Sequence, residues 1–313
     1  MISLTPQDVL PEDGTSGTLV GRVWLPQAGG PAVAAIRADG VFDVTAAFPT
    51  VSALCAEADP AAALGATKGE RIGDLAAILA NTPPDRRDSA KPHLLAPVDL
   101  QVLKAAGVTF AISMLERVIE ERARGNPSSA EAIRKEVVRL VGDDLSKLKP
   151  GSEQAMKLKQ VLIDQNAWSQ YLEVGIGPDA EVFIRLFDAT FSLDDVRKMD
   201  VGLTVKGTDG FVLEGHSSIS KISRDPTDLV AQTIGPVHQY PDGFALFLGT
   251  MFAPVKDRDA KGEGFTHKRD DIVTIAAPQL GKLVNRMRTS DECEPWTFGV
   301  GALMKNLAQR KLL

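Results

Sequence analysis

Short apolar runs separated by turn-forming residues fill the first fifty positions, a pattern typical of β-strands. Apolar residues dominate positions 18–25 and 33–37. The dipeptide Asp39-Gly40 that follows is favoured in tight hairpin turns, so residues 41–45 are expected to return as a strand. Thr50 is a good N-cap for a helix over 51–57. A second short helix is predicted to begin near Gly73-Asp74.

The pattern becomes helical in the middle of the chain. Ile112, Leu115, Val118 and Ile119 form one apolar stripe, and the capping box Ser128–Glu131 precedes a second helical pattern. A third helix is predicted from Ser152. Its apolar positions are Met156, Leu158, Val161 and Leu162.

After about residue 170 the sequence predicts strands and turns to the end, for example at 201–205, 244–248 and 272–275. Residues 82–92 combine prolines with charges and are predicted to be a linker. We therefore divide the chain into a small N-terminal domain with its linker, 1–92, and a second domain, 93–313.

Composition narrows the classes of partner and compartment. The formal net charge of −6 argues against a nucleic-acid partner, which would favour a basic surface. The 44% of hydrophobic residues is ordinary for a soluble globular protein. Cys55 and Cys293 cannot form a disulfide framework, so a reducing cytoplasm is expected. The sequence shows neither a signal peptide nor an apolar run long enough to span a bilayer, so no membrane partner is expected.

No self-standing catalytic motif is present in the sequence. The histidines are widely spaced without zinc-like partners, which favours structural or surface roles; they are His93, His216, His238 and His267. Asp257-Arg258-Asp259 is predicted to be a solvated loop, because the spaced oxygen ligands and closing glutamate of a calcium loop are missing. Ser192 and Ser217-Ser218 have no histidine and acid arranged near them in sequence, so nothing favours a serine triad.

The C-terminal stretch carries the most specific pattern in the chain. Its segments are Gly249–Pro254, Gly264–His267, Asp271–Ile275, Leu280–Asn285 and Pro295–Gly299. Together they resemble the C-terminal half of the fumarylacetoacetate hydrolase superfamily, and most closely the branch that dehydrates 2-keto-3-deoxy-D-arabinonate or 2-keto-3-deoxy-D-xylonate. The resemblance implies an α+β protein, with a small mixed N-terminal domain and a larger β-rich domain of the rolled mixed-sheet type.

The resemblance also assigns roles to particular residues. In the family a Gly-Thr pair binds the substrate carboxylate, and Gly249-Thr250 matches it. Loop 108–117 lacks the histidine of the hydrolases, and its Ser113, Glu116 and Arg117 are expected to face a polar substrate. The alternative, that Glu116 and Arg117 are the solvated face of a helix, stays open. Glu181 is expected to act as a base or to position water.

The family's metal-bearing segment is missing from the sequence. Relatives carry a Glu-x-Glu pair and a later Asp that hold Mg²⁺ (or Mn²⁺), whereas here Glu181-Val182-Phe183 runs directly into residues 184–187. Asp179, Glu181 and Glu116 remain as scattered ligands, and these make a poor octahedral cage. We expect no well-formed magnesium site in this chain. The chain is also expected to be discontinuous near 181–187, and the alternative is a true deletion.

For a full-length protein that carries this segment, the resemblance implies magnesium-dependent dehydration of a 2-keto-3-deoxy-pentonate to 2,5-dioxopentanoate in pentose and sugar-acid breakdown. The alternatives are C–C hydrolysis of an acylpyruvate such as fumarylpyruvate, or a non-catalytic family member without the metal site. The expected partner is a small 2-keto acid, and the family suggests a homodimer or a pair of dimers.

Overall fold

The computed structural model describes residues 2–107, 109, 119, 135, 139, 149–164, 168, 182–183, 193–249, 251, 256–260 and 265–313. Both helices and strands are present, as the sequence predicts. Within these ranges no helix combines the length and the apolar character needed to cross a bilayer.

The N-terminal strands form a five-stranded antiparallel sheet, as far as the described residues show, in the order β4-β3-β2-β1-β5. The predicted strands and the hairpin between them are confirmed. Its turn residues are Ala38 and Asp39, one position before the predicted pair, because Gly40 already pairs with Arg37. The strands are β1 (Leu19–Leu25), β2 (Gly30–Arg37), β3 (Gly40–Asp43), β4 (Glu70–Gly73) and β5 (His93–Leu95).

Strand β2 is apolar from Gly30 to Ile36 because both of its faces are covered. Ala32 and Ala34 belong to one buried cluster, whereas Val33 and Ala35 belong to another. Successive side chains of a strand point to opposite faces, so each face contributes to its own core. Helices flank the sheet: α1 (Val51–Cys55) and α2 (Pro60–Ala66) supply one cluster, and α3 (Leu75–Ala80) supplies the other.

The predicted helix starts are correct. Thr50 Oγ1 accepts a hydrogen bond of 2.9 Å from the Ala53 amide, and so caps α1. Asp74 is the N-cap residue of α3, as its position after Gly73 predicts. Asp59 Oδ1 caps α2 in the same way, at 2.9 Å from the Ala62 nitrogen.

The segment predicted as a linker is fastened to the N-terminal sheet. Asn81 is buried, and its Nδ2 donates to the carbonyl oxygens of Asp88, Lys91 and Pro92, each at 3.1 Å. Its Oδ1 accepts from the Asp88 amide at 2.7 Å. Immediately afterwards β5 pairs with β1. These contacts fix the path of the segment. The domain boundary at residue 92 stays a prediction.

Two further sheets follow in the described part of the chain. One has the order β10-β6-β7, with β6 (Val102–Ala106) parallel to β10 (Phe244–Phe247) and antiparallel to β7 (Val182–Phe183). The other is antiparallel, in the order β12-β11-β8-β9. Its strands are β8 (Asp200–Lys206), β9 (Val212–Ser218), β11 (Ile272–Ala277) and β12 (Gly281–Arg286). The strands predicted at 201–205, 244–248 and 272–275 are confirmed.

Helix α4 (Glu153–Asp164) begins where Ser152 predicts it, with the Ser152 hydroxyl oxygen 3.2 Å from the Ala155 amide. The predicted apolar stripe is only partly correct. Leu162 is buried, but Met156 and Val161 are 38% and 45% exposed. Most positions of the helices predicted around 112–124 and 130–141 lie outside the described residues. Those described are helical: Ile119 is buried, and Lys135 and Arg139 are exposed.

The expectation of strands and turns up to the C-terminus is wrong at three places. The chain forms helices α5 (Leu193–Lys198), α6 (Pro226–Thr233) and α7 (Val300–Gln309). Helix α7 buries Leu303, Asn306 and Leu307. Its Asn306 Nδ2 donates to the Ala28 carbonyl at 2.7 Å, and Arg310 Nη1 donates to the Pro31 carbonyl at 2.9 Å. The C-terminal helix therefore packs on the N-terminal sheet.

Candidate active site

The ends of β6 and β10 lie side by side at one edge of their sheet. These strands are parallel neighbours, with Val102 opposite Phe244 and Ala105 opposite Phe247. Loops that leave the carboxyl ends of neighbouring parallel strands meet at the same edge, a common place for binding sites. Strand β7 runs the opposite way, with Val182 opposite Ala106. Its first residue therefore lies at this edge too.

All three segments with predicted site residues are adjacent in sequence to strand ends at this edge. Loop 108–117 follows β6, Gly249-Thr250 follows β10, and Glu181 precedes β7. Of the predicted residues only Gly249 is described. The others lie outside the described residues; they are Ser113, Glu116, Arg117, Asp179, Glu181 and Thr250. Positions 181 and 184–187, where the family segment is missing, also lie outside them.

Gly249 has a conformation and surroundings that only glycine fits. Its φ is +107°, in the left-handed range that L side chains avoid. A Cβ atom at this position would overlap Thr109 Oγ1 and the Gly107 carbonyl oxygen. The loop after β10 therefore approaches the loop after β6 as closely as backbone allows.

Thr109 joins these two loops and was not singled out by the sequence. It has no exposed surface, and its hydroxyl donates to the Leu248 carbonyl. Its own carbonyl accepts two hydrogen bonds from Ser223, at 2.8 Å from the amide and 2.7 Å from Oγ. The sequence did carry one signal for it. Thr109 lies between two apolar residues, which favours burial, and a buried hydroxyl requires a hydrogen-bond partner.

An apolar cluster supports the same edge. Met199, Ile219 and Ala277 are buried, and Leu248 and Met251 pack against them. These two side chains flank positions 249 and 250 in the sequence. The turn that contains Gly249 is therefore anchored on both sides.

The prediction of a solvated loop at 257–259 is correct for Asp257 and Asp259, which are exposed, and wrong for Arg258. Its side chain is 3% exposed, and Nη1 and Nη2 donate to Asp271 Oδ2 and Oδ1 at 2.6 and 2.9 Å. Nη2 also lies 3.1 Å from each carboxylate oxygen of Asp209. The Asp271 carboxylate in turn raises the pKa of Arg258. Local sequence could not reveal this because both partners are distant along the chain.

The pKa values of both aspartates are lowered by their partners. For Asp271 the chief cause is the hydrogen bond from Arg258. For Asp209 the chief cause is the backbone amide of Phe211, with further bonds from Arg258 and Lys268, and together these lower its pKa to about 2. Both carboxylates are therefore charged at neutral pH and hold the 257–259 loop against β11.

The described residues contain no metal cluster. Within these ranges no three His, Cys, Asp or Glu side chains are grouped to hold an ion. His93 is buried beside Trp24, with ring centroids 6.4 Å apart, and burial lowers its pKa. His267 Nδ1 lies 3.6 Å from Asp271 Oδ2, within the Arg258 network. Because the predicted carboxylates near the edge are not among the described residues, no reaction step is assigned to a metal.

Two cavities of the described residues are lined by residues outside this edge. One of about 470 Å³ is lined by the first residues of the chain and by Thr204, Thr274 and Lys282. The other, about 680 Å³, is lined by Lys206, Arg286 and Arg288 together with Asp85 and Asp270. Both arginines form ion pairs with these aspartates. Neither cavity includes residues of loop 108–117 or of the Gly249 turn.

Comparisons with known proteins return structural neighbours alone. No family model matches the chain, and no curated protein matches it. Three of the neighbours are structures of 2-keto-3-deoxy-D-arabinonate dehydratase. A hexagonal crystal form is 15% identical, covers 86% of this chain and 98% of its own, and has a TM-score of 0.46. An apo form has 15% identity, coverages of 86% and 99%, and a TM-score of 0.45. A complex with magnesium and 2,5-dioxopentanoate has 14% identity, coverages of 85% and 97%, and a TM-score of 0.42.

Proposed function

We propose that the protein is a hydro-lyase that converts a 2-keto-3-deoxy-pentonate into 2,5-dioxopentanoate. The observation that carries the proposal is the meeting of three segments at one sheet edge. The ends of β6 and β10 and the start of β7 lie together there, and the three segments matched to family site residues adjoin them. We also propose that the second domain has the rolled mixed-sheet form of the family.

Recognition of the substrate carboxylate is assigned to the Gly249 turn. The close approach of Gly249 to Gly107 and Thr109 brings backbone, not side chain, to the edge. A hydroxyl at position 250 can donate a hydrogen bond to an anion, and hydrogen bonds to charged groups are among the stronger ones. Ser113 and Arg117 are the proposed contacts for the remaining polar groups of the substrate.

The proposed chemistry is elimination followed by a shift of the double bond. A base removes a proton from C3, the bond from C4 to its hydroxyl breaks, and water leaves. A proton then moves from C5 to C3, which leaves an enol with its double bond between C4 and C5. Loss of the enol hydroxyl proton and protonation of C4 turn C5 into the aldehyde of 2,5-dioxopentanoate. Glu181 and Glu116 are the proposed proton carriers, because carboxylates serve as general acids and bases when suitably placed.

Magnesium or manganese remains an implication of the family resemblance. In the described ranges the donor set does not form a cage. Of the ligands considered, Asp179, Glu181 and Glu116 all lie outside those ranges. The metal requirement is therefore put to experiment. In a full-length protein that carries the metal-bearing segment, turnover should stop with a strong chelator and return when magnesium is added in excess.

The deciding experiment is product analysis with 2-keto-3-deoxy-D-arabinonate and 2-keto-3-deoxy-D-xylonate. Dehydration yields one product that is lighter by a single water. Two carbonyl fragments from fumarylpyruvate would instead identify the hydrolase, a reading disfavoured by the lack of histidine in loop 108–117. No turnover of any of these compounds, with no stoichiometric magnesium binding, would identify a non-catalytic protein.

A further inference from the structure

We infer that Thr109 and Ser223 form a clamp that holds the backbone at Leu248-Gly249, directly before the proposed carboxylate contact, against the end of β6. The consequence for catalysis rests on the proposed function, whereas the clamp itself can be tested without it. Thr109 is a positioning residue here, since its hydroxyl is committed to a backbone carbonyl.

The first half of the clamp is the bond from Thr109 Oγ1 to the Leu248 carbonyl. Leu248 is the residue directly beyond β10, and Thr109 lies shortly beyond β6. The parallel strands pair only as far as Ala105 and Phe247. The threonine hydroxyl therefore continues the connection between the two loops past the last paired residues.

The second half of the clamp fixes Thr109 from the other side. The Thr109 carbonyl accepts from both the amide and the hydroxyl of Ser223, at 2.8 and 2.7 Å. Ser223 lies just before α6, next to the buried Arg224. Two donors from one residue define the position of this carbonyl more closely than one donor could.

Steric contact passes the position of Thr109 on to the turn. Gly249 lies directly against Thr109 Oγ1 and the Gly107 carbonyl, with no room for a Cβ. A shift of Thr109 must therefore move Gly249, and with it the residue that follows. Displacement of a binding group by about 1 Å can lower a rate about a hundredfold.

The test replaces the hydroxyl while keeping the shape of the side chain. Thr109→Val removes the donor, Thr109→Ser retains it, and Thr208→Val changes an exposed threonine as the control. Amide hydrogen exchange is measured by mass spectrometry in the peptide 244–251. We expect faster exchange there in Thr109→Val, and exchange close to wild type in Thr109→Ser and Thr208→Val.

The catalytic consequence is measured on the same proteins. We expect Thr109→Val to lower kcat/KM about 10- to 100-fold, chiefly through KM, and Thr109→Ser to restore most of it. If wild type shows no dehydratase activity, the proposed function fails, and the exchange data alone then judge the clamp. If Thr109→Val does not fold, Ser223→Ala takes its place, and we expect faster exchange in the same peptide. Exchange indistinguishable from wild type in the folded variant would overturn the inference.

Discussion

The guanidinium group of Arg258 donates two hydrogen bonds to the carboxylate of Asp271, a residue with no exposed surface. Asp209, in the turn between β8 and β9, completes the group. One buried cation thus ties the 257–259 loop to the start of β11 and to the neighbouring hairpin. The middle residue of an alternating charge pattern is therefore buried in an ion pair, whereas its neighbours Asp257 and Asp259 are exposed.

Removal of the cation should be costly. Arg258→Met keeps much of the volume but leaves the buried Asp271 carboxylate without its partner, and such losses are typically about 3–5 kcal/mol. Urea unfolding at pH 7 measures the free energy of unfolding. Arg86→Met, which changes an exposed arginine, is the control. A loss below about 1 kcal/mol, the range of surface ion pairs, would mean that the pair is not buried in solution.

The acid limb of the stability curve should depend on Asp209. Its folded-state pKa of about 2 lies below the ordinary value, so the unfolded chain binds the proton more readily. Its stabilising contribution is complete above about pH 4 and is lost as pH falls towards about 2. Urea midpoints of wild type and Asp209→Asn should therefore converge as the pH is lowered from 6 to 3. A constant difference across that range would contradict the prediction.

Gly249→Ala separates backbone strain from steric overlap. The alanine must adopt a positive φ, and its Cβ also overlaps Thr109 and Gly107. Gly210→Ala is the matched control, because its φ of +82° carries the same strain with nothing within 4 Å of the new atom. We expect a loss of about 1–2 kcal/mol for Gly210→Ala and a larger loss for Gly249→Ala. The overlap would be refuted by equal losses in thermal unfolding.

Thr250→Val tests the proposed carboxylate contact directly. It keeps the side-chain shape and removes the donor, so substrate should bind roughly 10- to 100-fold more weakly, from about 1.5–3 kcal/mol for a bond to a charged group. Thr250→Ser keeps the hydroxyl and is the control. Steady-state kinetics that are the same for wild type and the valine variant would exclude this role for Thr250.

A contact between Gly30 and Asn306 should make two substitutions non-additive. A Cβ on Gly30 would overlap the Asn306 side chain, so Gly30→Ala should cost about 1–3 kcal/mol by overpacking. In an Asn306→Ala background that space is open, and the cost of Gly30→Ala should shrink. Chemical unfolding of the two single variants and the double variant measures the difference. Strict additivity would show that α7 does not pack on β2 as described.

Local signals were sufficient for much of the fold. The Thr50 cap and the hairpin turn at Ala38-Asp39 act within a few residues, and both form within one residue of where the sequence predicts them. Hydrogen bonds across long separations gave no such signal. Thr109 and its acceptor Leu248 are 139 residues apart, and Arg258 and Asp209 are 49 apart. Single-sequence patterns carry no record of such partners, so the clamp and the buried arginine could only be found in three dimensions.

Helix α7 also shows that a single-sequence pattern cannot reveal distant packing partners. Leu303 and Leu307 are four residues apart and were available as a helical signal, but the strand-rich sequence before them favoured a different interpretation. Its surroundings explain its stability. Leu303, Asn306 and Leu307 are buried, with Asn306 hydrogen-bonded to the N-terminal sheet, and tertiary packing supplies most of the stability of a short helix.

During synthesis, the N-terminal sheet is made long before helix α7, which packs on it. Asn306 is made 278 residues after Ala28, whose carbonyl it binds. At about 5–20 residues per second, translation of that interval takes roughly 14–56 s. Throughout it, the nascent sheet presents the surface around Ala28 and Pro31 without its cover. A ribosome-bound chaperone would meet that surface in every molecule, long before the ends of β6 and β10 can come together.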